Sequence, residues 1–287
     1  MNDNNKQIDD AISLQYSSHD RLSEYNRLVY PVVSRRAGGL SLGINVNPDK
    51  KCTFNCVYCQ VDRSKEIKNL SPDIEQINNE LDEWLTVISK NNGSYKGHPL
   101  KDISFAGDGE PTTYSQLPQL IENIIEAKKK YHFDQCKIII FTNGTRIVHP
   151  NILKVLPALF ANQGEIWFKL DFWDEKSLQQ INRPKMSAAK LIEHLTRVGQ
   201  QFPVVLQSCF FSWNDQVYQD DIYNGYITLV QELIKKGVQL KYIQAYTLAR
   251  KPSEIDAKPL KDDELDRLCL HLKNELPVQI KKYYEKG

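Results

Sequence analysis

The sequence predicts an α/β protein: a partial, open (β/α)6 TIM-like barrel of parallel strands. Two observations carry this. Short apolar, β-branched runs alternate with amphipathic helical stretches along most of the 287 residues, the pattern of parallel strands joined by right-handed crossovers. The strand runs are nearly continuously apolar, as expected of a sheet covered by helices on one face and curled around a filled or ligand-bearing interior. Six such units are too few to close an eight-stranded barrel and enough for an open one.

The elements follow in order. After Gly38-Gly39, LSLGINV at 40–46 reads as the first buried strand, and the residues through Cys59 read as a loop. Ser71 as N-cap and Pro72 at the first helical position open a helix whose Ile74, Ile77, Leu81, Trp84, Leu85 and Ile88 keep near-helical spacing. Strands at 102–106, 137–142, 165–172, 203–210 and 238–247 then alternate with helices near 115–130, 150–161, 187–201, 222–236 and 262–275, before a short VQI strand at 278–280. No repeat, low-complexity tract or Pro/Gly-rich linker divides the chain. Residues 1–37 are expected to form a partly ordered N-terminal extension, and 38–287 a single core domain with the short C-terminal strand.

Composition narrows the class. Hydrophobic residues at 41% and charged residues at 25% are ordinary for a globular core, and a net charge of +1 gives no overall field that would announce nucleic acid. The longest apolar runs, such as KIIIF at 137–141, fall far short of the ~20 residues of a membrane span, so no membrane partner is expected. The polar, acidic start MNDNNKQIDD lacks the basic and apolar regions of a signal peptide, which points to the cytoplasm.

In a reducing compartment, clustered cysteines are metal ligands or catalytic groups more often than disulfides. Cys52, Cys56 and Cys59 fall within eight positions of the loop after the first strand, where parallel α/β folds collect function. Thiolates suit iron–sulfur clusters, zinc and copper(I). A structural zinc site takes four closed ligands, usually as two pairs, and no second pair exists here. Cys136, Cys209 and Cys269 read as buried small hydrophobes, and the six histidines show no ligand spacing relative to the triplet. Four irons held by three thiolates would leave one iron open to a reactant. A zinc-binding module built on the triplet and a histidine remains the alternative.

Other strand ends add polar groups. ISFAGDGEPTTY at 103–114 puts Gly107, Asp108, Gly109 and Glu110 after the second strand; glycines permit close backbone approach and a carboxylate can pair with an ammonium. FTNGT places Thr142 and Asn143 after the third strand, where cofactor contact competes with a simple Asn-Gly turn. Lys169 and Asp171 share one face of the fourth strand, and two charges in an apolar strand need each other or a polar ligand; they are the candidate catalytic pair. Arg183 in INRP and Arg250 in QAYTLAR are candidates for a carboxylate or phosphate, whereas Lys128-Lys129-Lys130 reads as a solvated helix end.

Cys52-x3-Cys56-x2-Cys59 after a first strand resembles the signature of the radical SAM superfamily. The resemblance implies a 4Fe-4S cluster on these cysteines, its open iron chelated by the amino and carboxylate groups of S-adenosyl-L-methionine. It implies reductive cleavage of that cofactor to a 5'-deoxyadenosyl radical that abstracts a substrate hydrogen. Tyr58, just before the third cysteine, takes the place of an aromatic residue near the adenine, and Gly107 to Glu110 resembles the glycine-glycine-glutamate motif that holds the methionine amino group. SRRAGGLSLGIN, CTFNCVYCQVDR, FAGDGEPT, KLDFWDE, INRP and YTLARKPSE together are similar to the branch of wyosine-type tRNA-modifying Fe-S oxidoreductases and their uncharacterised bacterial relatives. Those wyosine enzymes carry an upstream set of cysteines for a second cluster, and no cysteine precedes Cys52 here. A low-potential electron donor such as flavodoxin is therefore expected. Arg35, Arg36, Arg63, Lys169, Arg183 and Arg250 are a thin set of cations for holding a tRNA. A small molecule or a peptide is expected ahead of tRNA as substrate, with wyosine-type base modification as the alternative.

Overall fold

The computed structural model describes residues 26–63, 71–213, 220–252, 254 and 256–285. Residues 1–25, most of the expected N-terminal extension, lie outside them.

The strands expected from the sequence are present and parallel. β1 (Val29–Ser34) and β2 (Gly39–Ile44) form an antiparallel hairpin. β3 (Ser94–Tyr95) pairs with the start of β4 (His98–Phe105). From β2 and β4 the parallel sheet continues through β5 (Lys137–Thr142), β6 (Gly164–Lys169), β7 (Val204–Cys209), β9 (Leu240–Tyr246) and β11 (Ile280–Tyr283). β8 (Phe211–Trp213) and β10 (Ala257–Pro259) form a small separate ribbon. The two edges of the large sheet come together: Arg35, just after β1, donates to the backbone carbonyls of Tyr284 and Glu285, just after β11. The sheet is thus a curled, incompletely closed barrel.

Helices α1 (Ile74–Lys90), α2 (Leu117–Lys130), α3 (Pro150–Ala161), α4 (Glu175–Ile181), α5 (Ala188–Gly199), α6 (Asp220–Lys235) and α7 (Asp262–Glu275) alternate with the strands. Side chains alternate across a strand. One set, including Leu40, Leu42, Ile103, Ile138, Ile166 and Leu206, joins the helices in the main core, with Ile77, Leu81, Leu120, Leu156 and Leu195. The other set faces the barrel interior and is mixed: Ile139, Trp167, Val205 and Tyr242 form a small apolar layer, while Ser41, Asp102, Ser104, Glu165 and Gln207 are buried polar groups. The interior is therefore more polar than near-continuous apolar strands suggested.

Four local details differ from the sequence reading. β1 lies inside the stretch read as an extension, so the hairpin spans the boundary drawn at residue 37; buried Glu80 of α1 fixes it by accepting both Leu28 N and Val29 N at 2.8 Å. The N-cap of α1 is Asp73 rather than Ser71, because its carboxylate accepts the Glu75 amide at 3.0 Å. α4 had no counterpart in the reading; Asp174 and Ser177 start it with a capping box. Lys128 is not solvated: it is buried, and its ammonium donates to the carbonyl of Asn162 at the C-terminus of α3 at 2.8 Å.

Candidate active site

The cysteine loop leaves the end of β2 and is held by the loops of three other strands. Asn55 N and Val57 N donate to the carbonyls of Asn182 and Ile181 at 2.9 Å, docking it on the end of α4. Asn143 Nδ2 donates to Thr53 Oγ1 at 2.9 Å, and Thr53 and Thr145 share a hydroxyl hydrogen bond of 2.7 Å. Arg63 donates to the carbonyls of Lys50, at 2.7 Å, and Asp108, at 2.9 Å. A loop with almost no regular structure is thus fixed by its neighbours' polar groups.

Cys52, Cys56 and Cys59 are half-buried and line one cavity of about 300 Å³, while Cys136, Cys209 and Cys269 are buried, as expected. Each sulfur of the triplet faces its own nitrogen donors. Phe54 N is 3.5 Å and Asn143 Nδ2 3.8 Å from Cys52 Sγ, Asn182 Nδ2 is 3.2 Å from Cys56 Sγ, and an Arg63 guanidinium nitrogen is 3.5 Å from Cys59 Sγ. Burial raises the Cys56 thiol to about 12, with Lys169 and the Asn182 hydrogen bond pulling the other way; burial also raises Cys52. Thiols this costly to ionise alone suit a site where bound iron neutralises the thiolates. Among the described residues, no three His, Cys, Asp or Glu side chains converge on a single ion.

The GDGE loop is packed against the cysteine loop. A Cβ on Gly109 would sit 2.0 Å from the Lys51 carbonyl, and one on Gly107 would sit 2.3 Å from Asn45 Oδ1, so the glycines admit protein neighbours first of all. Asp108 accepts from Asn45 Nδ2 at 2.7 Å. Glu110 is buried, and Thr112, Thr142 and Asn143 surround its carboxylate. Oε1 takes the amide of Thr112 at 3.2 Å, the Thr142 hydroxyl at 2.6 Å and the Thr112 hydroxyl, and Oε2 takes Asn143 N at 2.6 Å. Burial raises its pKa against these donors. Thr142 and Asn143, expected at the cofactor, therefore tie the ends of β4 and β5 together as well as lining the cavity.

Lys169 and Asp171 do meet, at 3.6 Å, but play unequal parts. Lys169 lines the cavity, its ammonium 4.9 Å from the centre of the Tyr58 ring and 3.0 Å from the Tyr246 hydroxyl. Burial pushes its pKa down, yet Asp171 and the neighbouring phenol and thiols hold it well above the usual lysine range. Asp171 sits behind the wall, accepting from Cys209 N at 2.7 Å, from Asn182 Nδ2 at 3.4 Å and from the Tyr58 hydroxyl. Tyr58 is thereby fixed, with Phe211 edge-on at 5.2 Å.

Charged side chains on the cavity wall are unbalanced: Arg35, Arg36, Arg63, Lys169 and Arg250 face Asp108 and Glu110. Arg183 is not among them; it pairs with Glu254 near the surface. The sequence reading missed Asn182, Asn45, Asn47 and Tyr246 as site residues. All are neutral, and only the groups they reach in the fold give them meaning: Cys56 Sγ for Asn182, the Asp108 carboxylate for Asn45, the Thr113 hydroxyl for Asn47 and the Lys169 ammonium for Tyr246.

A curled parallel sheet carrying three partly exposed cysteines in the loop after its first parallel strand defines a class of iron–sulfur enzyme. The sequence profile of the radical SAM superfamily matches residues 46–216, more than half of the chain, and the protein belongs to that superfamily of enzymes, which work with a 4Fe-4S cluster and S-adenosyl-L-methionine. Among curated relatives, a UPF0026 protein of Helicobacter pylori is 27% identical, covering 90% of this chain and 79% of its own length. Among solved structures, a radical SAM methyltransferase from Sphaerobacter thermophilus shares the fold with a TM-score of 0.63 at 12% identity, over 98% of this chain and 86% of that one. TYW1 with a lysine-pyruvate adduct bound shares it with a TM-score of 0.52 at 18% identity, over 82% and 73%.

Proposed function

We propose that Cys52, Cys56 and Cys59 ligate the 4Fe-4S cluster and that S-adenosyl-L-methionine binds beside them, between the GDGE and FTNGT loops. The observation that supports this most is the set of three partly exposed thiols in one cavity, each with its own N–H donors. When bound, the cluster and cofactor supply the reductive cleavage that generates a radical able to take a hydrogen atom from a substrate.

The protein's own groups hold and orient. Oε1 of Glu110 takes three donors and Oε2 only Asn143 N, so Oε2 is the less occupied oxygen and the one to meet the cofactor's ammonium. Gly107, Asp108 and Gly109 present backbone beside it, and Thr142 and Asn143 keep it in place. Tyr58, locked by Asp171, offers a fixed wall for the adenine. Lys169 is the group of the catalytic pair that reaches substrate, and Asp171 positions Tyr58 and the strand end behind it.

The few cations on the cavity wall, Arg35, Arg36, Arg63, Lys169 and Arg250, are a thin set for holding RNA phosphates, which favours a small substrate over tRNA. A cluster with an open iron works in a reducing compartment and with an external low-potential donor of the flavodoxin kind, so the cytoplasm is its proposed location. No helix among the described residues is long and apolar enough to cross a membrane.

Metal analysis after anaerobic reconstitution tests the ligand assignment. Brown protein with about four irons and matching sulfide per chain is expected, with loss of both when the three cysteines are changed to alanine. Colourless protein retaining about one zinc would overturn it.

A further inference from the structure

The cavity wall carries one cation, Arg36, that has no carboxylate partner among the described residues. Its recorded contacts are aromatic faces. The ring centres of Phe141, Trp167 and Tyr246 lie 5.4, 5.8 and 5.2 Å from the guanidinium carbon. A cation–π contact is worth roughly 0.5–2 kcal/mol, and it satisfies none of the five N–H donors of an arginine. Lys169 approaches the same Tyr246 ring at 5.7 Å. Its ammonium pairs with Asp171, 3.6 Å away behind the cavity wall, whose carboxylate also accepts from the Tyr58 hydroxyl and Cys209 N. One tyrosine is therefore flanked by two cations, Lys169 at the end of β6 and Arg36 in the β1–β2 hairpin. Arg36 therefore offers its guanidinium to an anion in the cavity, with Lys169 near the same Tyr246 ring.

We propose that the substrate is a small organic anion whose carboxylate or phosphate group is held by Arg36 and Lys169, with its body against Tyr246 and Phe141. The orientation rests on the radical SAM reading: with the anionic group at the interior end, the rest of the molecule points towards the cysteine loop. The two cations fix one end of the substrate, so the hydrogen presented for abstraction is set by its distance from the anionic group.

Calorimetric titration of the full chain with benzoate, benzamide and inorganic phosphate tests this, on cluster-free and on reconstituted protein. Benzoate or phosphate is expected to bind and neutral benzamide to bind at least tenfold more weakly. Arg36→Ala is expected to weaken anion binding tenfold or more, Arg36→Lys to restore part of it, and Arg267→Ala on the surface to leave it unchanged. Benzoate alone would identify a carboxylate substrate, phosphate alone a phosphorylated one, and either supports the site. Equal binding of benzoate and benzamide, binding of neither anion, or full affinity in Arg36→Ala would overturn it. The benzoate–benzamide comparison uses the unaltered protein and so decides even if Arg36→Ala does not fold. Anion binding to protein that assembles no cluster would sink the superfamily assignment of the cysteines and leave this site standing; an assembled cluster without anion binding would do the reverse.

Discussion

Asn182 is fully buried and carries no charge, yet it touches the cysteine loop, Tyr58 and Asp171 at once. Its side-chain amide nitrogen points at Cys56 Sγ, the Tyr58 hydroxyl and Asp171, and its backbone carbonyl accepts from Asn55 N. An N–H donor stabilises a sulfur most when it carries most charge, which is the reduced state of a cluster. Asn182→Ala should therefore lower the midpoint potential of the reconstituted cluster, by roughly tens of millivolts, with the iron content retained. A redox titration followed by electron paramagnetic resonance reads this directly, and an unchanged potential would remove Asn182 from the cluster's surroundings. Within the motif INRP, sequence reasoning favours the charged Arg183, because a guanidinium advertises its chemistry. An asparagine does not, and its role exists only once α4 brings it against the cysteine loop.

At the scale of elements, β2 and β4 show what the polar inner face costs. Asp102 is buried against Ser41, and burial raises its pKa to about 7, although the Ser41 hydrogen bond opposes this. An unfolded aspartate titrates near 4. Between those values the folded protein holds a proton that the unfolded chain has released. The associated stabilisation is complete below about pH 4 and is lost as pH rises through about 7. Asp102→Asn, which cannot ionise, should gain in thermal midpoint over the unaltered protein on going from pH 5 to pH 8; a difference independent of pH would contradict the burial of a titrating carboxyl. The order of strands and helices was legible because the strand runs and helical periodicities are long and apolar. β1 was not, since its pairing depends on Glu80, 51 residues away from Val29, capturing two backbone amides. The short helix α4 was hidden for a related reason: seven residues held by a capping box leave little periodicity to read.

Over the whole molecule, the curled sheet does two things at once. Its strand ends hold the cysteine loop through Thr53, Asn55 and Val57, and its interior forms a cavity running from the cysteines to Arg36. The proximity of Cys52, Cys56 and Cys59 to the GDGE loop was legible because their spacing is specific and both follow strands. The cation balance inside the barrel was not, because Arg36 reaches the cavity only through the hairpin, whose tip Arg35 ties to the far edge of the sheet. The central claim is that this cavity supports reductive cleavage of S-adenosyl-L-methionine at a cluster on Cys52, Cys56 and Cys59. The most direct test is chromatographic measurement of products after anaerobic mixing of reconstituted, dithionite-reduced protein with S-adenosyl-L-methionine. The account predicts 5'-deoxyadenosine and methionine in equal amounts, and neither from the variant with all three cysteines changed to alanine. Protein that binds its full complement of iron and is reduced, yet releases no 5'-deoxyadenosine with any reductant, would contradict it.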